Sequence, residues 1–466
     1  MAQISLGIQT YESRSLPVSA QRVVNLYQEI SPQEAKTKLL FLGTPGLKLF
    51  TTVGAGPIYG MHNMDGILYV VSGNDLWQVN SDGTTINRGS LGFVNGRVDI
   101  SENKSQLFIV LPNTQAFVYT AALLTLTQVT ATGFPGATST IFLGSYTLVN
   151  KPSSRQFFWS TPLDSTAWDA LDFESAEITS DNIVQVFSSQ QELWVFKETS
   201  TELFNLTTDF NLPFQAQANA SMNRGCAAQF SIVNIESAIY WLGDDRVIYA
   251  TNGYRPQRVS NHGIEDVINK MTVISDAFGF YYNEEGHKFY ILTFPTEMRT
   301  FCYDVMTGLW HERESVGLGR WRPNAFANCY NKNYVGDFQS GKLYEISLET
   351  YDEDGVHIER INTFPPVFQE NKRIIFDRLN IDMETGVGLV VGQGSDPQIM
   401  LDWSDDGGFT WSHQNWRTFG MIGNRTRRVT YRRLGQGRER VFRIKGSDPV
   451  KVGIYNAFVD VRPGSY

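Results

Sequence analysis

Eight consecutive residues carry the most enzyme-like signal in this chain: Ser404-Asp405-Asp406-Gly407-Gly408-Phe409-Thr410-Trp411. They fit S-x-D-x-G-x-T-W, the Asp-box. Its physical content is a hairpin turn: Asp406 accepts backbone N–H groups, Gly408 takes a positive φ, and Trp411 packs beneath, with Ser404 and Thr410 completing the pattern. The chemistry expected of these five residues is therefore conformational. A second cluster is cationic. Arg425, Arg427, Arg428, Arg432, Arg433, Arg438, Arg440 and Arg443 crowd into some twenty residues, opposed only by Glu439. Three readings are open for it: a solvated hairpin, a docking surface for an acidic protein, or contact with DNA. Docking is favoured, because Arg suits interfaces and the interleaved Val429, Leu434 and Val441 limit a nucleic-acid stripe.

Other routes to catalysis close quickly. The six histidines form no H-x-H or H-E-x-x-H spacing, so no metal or cofactor site is expected. Adjacent acids at Asp244-Asp245, Glu284-Glu285 and Asp405-Asp406 sit in hairpin turns, where turn chemistry explains them. There is no G-x-x-x-x-G-K-[ST] phosphate loop and no G-x-S-x-G elbow. No catalytic residue is predicted.

The elements that must position these residues are strands. From Ile58 onward, paired apolar runs recur around polar turns, as in Ile67–Val71 and Leu76–Val79 flanking Ser72-Gly73-Asn74-Asp75. The cadence returns at 98–119, 141–159, 183–206, 230–259, 278–310 and 325–346, a period near that of propeller blades. LWQV, LWVF and LYEI echo one another between units. The expected fold is all-β: a β-propeller of six or seven blades over 56–363, preceded by an extended N-terminal arm and entry strands over 1–55. Two stacked sandwiches are the competing architecture. One short helix is expected at 264–271, capped by Asn261 or by the preceding turn. After Phe364-Pro365-Pro366, read as a linker, a β-sandwich-like domain is expected over 364–466, with strands at 374–383, 388–391, 399–403, 427–434, 440–444 and 452–461.

Composition bounds the partners. The formal charge is −9, against a protein that coats nucleic acid. That charge is uneven: residues 372–466 hold 15 Lys and Arg against 10 Asp and Glu, while the first 371 hold 24 against 38. Three isolated cysteines point to buried thiols in a reducing compartment. No signal peptide or membrane-length apolar run is visible, so a soluble protein made in the cytoplasm, without membrane contact, is expected.

The order of several segments resembles the packaged-DNA stabilisation family of short-tailed bacteriophages. The resemblance runs through Arg22-Val23-Val24-Asn25-Leu26-Tyr27, Thr44-Pro45-Gly46, Ser160-Thr161-Pro162-Leu163-Asp164, Phe173–Glu177, Glu192-Leu193-Trp194-Val195-Phe196 and Tyr254-Arg255-Pro256. It closes with WSDDGGFTWS and RRLGQGRERVFRI. It implies a structural virion protein of the tail, assembled in the host cytoplasm: a hub or nozzle subunit forming a homo-hexamer below the portal–adaptor. Such a ring would continue the DNA channel, retain packaged double-stranded DNA without reading its sequence, and dock tail fibres, spikes or a tail needle. The alternative is a glycan-binding or sialidase-like propeller protein, suggested by the single Asp-box. In sialidases that box is a structural device remote from the catalytic centre, and no Arg triad or Tyr–Glu pair accompanies it here.

Overall fold

The second strand of each repeating unit is mostly apolar and buried along most of its length rather than in alternation: ILYVV, QLFIV, YTLVN, ELWVF, AIYWL, FYILTF and NYVGD. A strand that buries both faces needs a sheet packed on each side. In the computed structural model, which describes residues 2–217, 220–370 and 372–464, that requirement is met by a ring of seven four-stranded antiparallel blades. Blades 1 to 6 span 58–90, 99–128, 140–175, 183–216, 233–258 and 278–312. Blade 7 takes three strands from 323–347, and its outer strand is Gly46–Thr52, paired antiparallel with Lys342–Ser347. An early strand thus closes the ring on a late one.

The hydrophobic clusters follow the same division. Each of seven lies between two neighbouring blades, as where Leu68 and Val70 of blade 1 meet Ala325, Tyr334 and Leu343 of blade 7. The eighth fills the sandwich. The helix His262–Lys270 follows blade 5, and Asn261 Oδ1 accepts from Ile264 N at 3.0 Å at its start.

The sandwich differs from the sequence expectation in its parts list. One sheet runs Val429–Arg432, Ile374–Met383, Gly453–Pro463, Leu39–Gly43, Leu26–Ile30. The facing sheet contains Arg360–Thr363, Glu439–Gly446, Gln398–Ser404 and Asn415–Thr418. Residues 2–43 are therefore no free arm: they supply strands to the C-terminal sandwich, and Val23, Leu26 and Phe41 lie in its core. Nor is Phe364 a linker residue. It is fully buried there, and its amide donates to Phe442 O at 2.8 Å. The reason is packing: the apolar faces of these short strands can only be covered by the sheet opposite.

Val23–Val24 fuses the two domains. It pairs with Ile361 and Asn362 on one side and with Glu312 of blade 6 on the other, so a single sheet runs from blade into sandwich. Glu312 anchors this seam. Its carboxylate, almost fully buried, accepts from Arg22 Nε at 3.0 Å, Arg22 Nη2 at 2.8 Å and Thr10 Oγ1 at 3.3 Å, with Arg299 Nη2 at 3.1 Å.

Candidate interaction surface

The turn at 404–411 is a closed hydrogen-bond unit. Ser404 Oγ donates to Asp406 Oδ1 at 2.6 Å, and Asp406 Oδ1 accepts from Phe409 N and Thr410 N at 3.0 and 2.9 Å. Thr410 Oγ1 donates to Asp406 Oδ2 at 2.6 Å. These donors hold the Asp406 carboxyl well below the usual carboxylate range. Gly407 and Gly408 have φ of +76° and +105°. A Cβ on Gly407 would fall 2.6 Å from Pro17 Cα, and one on Gly408 would fall 2.7 Å from Ala20 Cβ. The box therefore grips the N-terminal hairpin Tyr11–Glu12/Ala20–Gln21. Trp411 lies under the Arg443 guanidinium at 3.6 Å.

The arginine run divides. Arg440 is 1% exposed. It makes a two-pronged pair with Asp405 at 2.6 and 2.7 Å, donates to Leu434 O, and lies over the Phe376 and Trp403 rings at 4.5 and 4.9 Å. Arg443 pairs with Asp402 at 2.9 and 2.6 Å. Both leave the expected docking set, because their donors are committed within the sandwich. Arg425, Arg427, Arg428, Arg432, Arg433 and Arg438 are exposed, and none forms an ion pair among the described residues. Of these six only Arg432 lies in a strand, Val429–Arg432, and Arg433 has φ +58°. The strand expected from residue 427 begins only at Val429, so Arg427 and Arg428 lie in a loop.

Beside these cations is a feature the sequence reading missed. Residues 388–391 form no strand. They sit in a glycine-rich loop, with Gly386, Gly392 and Gly394 at positive φ. That loop is tied to the 419–428 loop by Gly423 N to Gly386 O at 3.1 Å and Thr385 Oγ1 to Arg425 O at 2.9 Å. The joined tips expose Val390 (79%), Val391 (78%), Met421 and Ile422. The result is a knuckle with an apolar tip and arginines on its flank. GLVVGQG was the available signal: alternation broken by glycines too frequent for a ladder.

A small pocket lies among the innermost strands of blades 1, 2, 6 and 7. Arg97 lies over the Phe278 ring at 3.7 Å and donates to Asn324 Oδ1 at 3.2 Å. Burial, with Arg320 nearby, pushes its pKa down to about 9. Asp99 accepts from Thr140 N and Gln185 Nε2 at 2.9 and 3.1 Å, and burial lifts its pKa to about 6. His62 is pushed down to about 4 by the same cause. The space these groups leave beside Phe230, Phe280 and Phe326 is about 160 Å³.

The paired acids are occupied too. Asp244 accepts from Gly225 N at 3.0 Å and Asp245 from Tyr249 Oη at 2.7 Å. Among the described residues no group of three His, Cys, Asp or Glu is placed to hold a metal ion. The three thiols are buried and unpaired.

Two sequence-family models match the chain end to end. Residues 3–351 match the β-propeller of bacteriophage P22 Gp10, and residues 359–462 match its β-sandwich. No curated protein sequence matches. Among solved structures, the computationally designed Ika8 protein is similar at 8% identity and a TM-score of 0.42, covering 65% of this chain and all of that one. U3-55K is similar at 10% and 0.41, again covering 65% of this chain and all of that one. The extracellular domain of BT4673 from B. thetaiotaomicron is similar at 11% and 0.42, covering 87% of this chain and 57% of that one.

Proposed function

The chain belongs to the bacteriophage P22 Gp10 family, a family of structural virion proteins that stabilise packaged DNA, and on that premise we propose that it is a tail hub or nozzle subunit. Six copies form a ring below the portal–adaptor, continue the DNA channel, and carry fibres, spikes or a tail needle. The role is non-enzymatic. The observation that carries this reading is the match to both domains of that family, over 3–351 and 359–462. In such a ring the retained DNA passes between the copies.

Charge supports the same view. An acidic body, 24 basic against 38 acidic residues over the first 371, repels phosphate and lets DNA slide past. The glycan-binding or sialidase-like alternative draws no support from the Asp-box, whose carboxylate is consumed by its own turn. The test is the mass of the full chain in solution, alone and with its portal–adaptor complex. A six-copy ring on the adaptor is expected; a monomer that ignores the adaptor overturns the reading.

A further inference from the structure

The outer strand of blade 3, Asp164–Ser175, is the longest outer strand of any blade, and it does not follow its neighbour. Ser160 pairs with Trp168 and Phe158 with Phe173, so five steps on the outer strand match two on the inner one. Residues 169–172 therefore arch away from the ladder. The arch stands on aromatic feet: the buried Trp168 ring packs on Phe134 at 5.3 Å and Phe108 at 5.7 Å, and the partly buried Phe173 stacks on Phe158 at 5.3 Å. Gly133 passes directly behind it, where a Cβ would fall 2.4 Å from Trp168 O. At the crest Leu171 is 82% exposed, and Ile178 is exposed beyond the strand's end. No Lys or Arg occurs between Asp164 and Asp181. Asp169, Asp172, Glu174 and Glu177 make no ion pair among the described residues. Asp172 is pushed up by burial and by Asp169 beside it, as expected for acids that face one another without a cation.

This arch has the opposite character to the knuckle at 388–391 and 421–428. One is rigid, acidic and apolar-crested; the other is cationic and apolar-tipped. They also lie in different domains. The sandwich joins the propeller at blade 6, and blade 3 is separated from it by blades 4 and 5 on one side and by 7, 1 and 2 on the other.

We infer that the knuckle of one copy docks on the blade 3 arch of the next, Val390, Val391, Met421 and Ile422 against Leu171 and Ile178, with Arg427 and Arg428 facing Asp172 and Glu177. The contact is head-to-tail and so propagates around a ring. Its steering is electrostatic and its grip apolar. The inference rests on the ring reading above and assigns the surfaces that close it.

The test uses two full-length variants, Arg427→Glu/Arg428→Glu and Asp172→Lys/Glu177→Lys. Assembly is read by light scattering over a concentration series, alone and on DNA-filled heads that lack this protein. Each variant should associate at least about tenfold more weakly than the wild type. An equimolar mixture of the two should recover assembly, since each reversed surface then meets a reversed partner; misfolding cannot produce that recovery. Wild-type rings with both variants assembling normally, or a mixture that fails to recover, would overturn the pairing and leave the ring reading in place. A wild type that stays monomeric in both settings would remove both.

Discussion

Replacing Glu312 with Gln keeps the shape of the seam and removes its most deeply buried carboxylate among the described residues. The carboxyl is held far below its ordinary 4.5, at about 2, chiefly by Arg22 and then Arg299, against the opposing effect of burial. At 1.36 kcal/mol per unit, that depression corresponds to about 3 kcal/mol of folded-state stability. The elevation of Arg22 is the same interaction seen from the other partner and is not added. Breaking a buried pair by removing one member costs a comparable ~3–5 kcal/mol, because two guanidinium groups remain crowded with only the more exposed Glu12, 3.8 and 3.5 Å away, as counter-charge. The pH dependence follows from the sign. A depressed acid stabilises the fold fully above its unfolded pKa near 4.5, and that contribution fades as pH falls toward about 2. The assay is urea unfolding at pH 7 and at intervals down to pH 3, with trypsin cleavage after Arg14 reporting on the N-terminal hairpin. Glu312→Gln should lose about 3 kcal/mol at pH 7, expose Arg14 to cleavage, and converge with the wild type at low pH. A loss below about 0.5 kcal/mol, or two curves that run parallel from pH 7 to pH 3, would refute the argument.

Two further perturbations separate structural residues from exposed ones. Arg440→Met should lower stability by about 2–4 kcal/mol in thermal unfolding, since it strips Asp405 of its partner and frees Leu434 O, whereas Arg438→Ala, on the exposed part of the same run, should change it by less than about 0.5 kcal/mol. Gly407→Ala should destabilise by about 1–3 kcal/mol and speed cleavage after Arg14, because its Cβ meets Pro17 and its φ is +76°; Gly423→Ala, at φ +82° with nothing within 4 Å, should cost only about 1 kcal/mol, and equal losses would show that the grip on Pro17 is unimportant.

What was legible in the sequence was local. The Asp-box is written within eight residues because its hydrogen bonds join positions no more than four apart. The blades were visible because paired, mostly apolar strands recur around polar turns, which left a rhythm of about seven units despite poor identity between them; seven is the number that the clusters between blades fix. The β-sandwich was visible as a change of composition. What failed was long-range. Val23–Val24 is two residues long and finds its partners at Glu312 and Ile361, so no window of sequence holds the pair. The arginine run showed its charge and not its counter-ions: Asp402 and Asp405, which absorb Arg443 and Arg440, lie 41 and 35 positions away. The knuckle was hidden because Leu389, Val390 and Val391 look like a strand until the glycines around them are placed in turns.

The closing strand of the propeller has a consequence for how the protein is made. Gly46–Thr52 leaves the ribosome early, but its partner Lys342–Ser347 is among the last third to emerge. Leu39–Gly43 waits longer still, for Gly453–Pro463 near the end of the chain. At roughly 5–20 residues per second, synthesis takes on the order of 20 to 90 s, and for most of that time LLFLG, paired with Leu26–Ile30 on one side, leaves its other edge open. The nascent protein is thus an open ring with an adhesive edge. Its vulnerable period is set by translation speed, so a burst of synthesis late in infection would demand chaperone capacity in proportion.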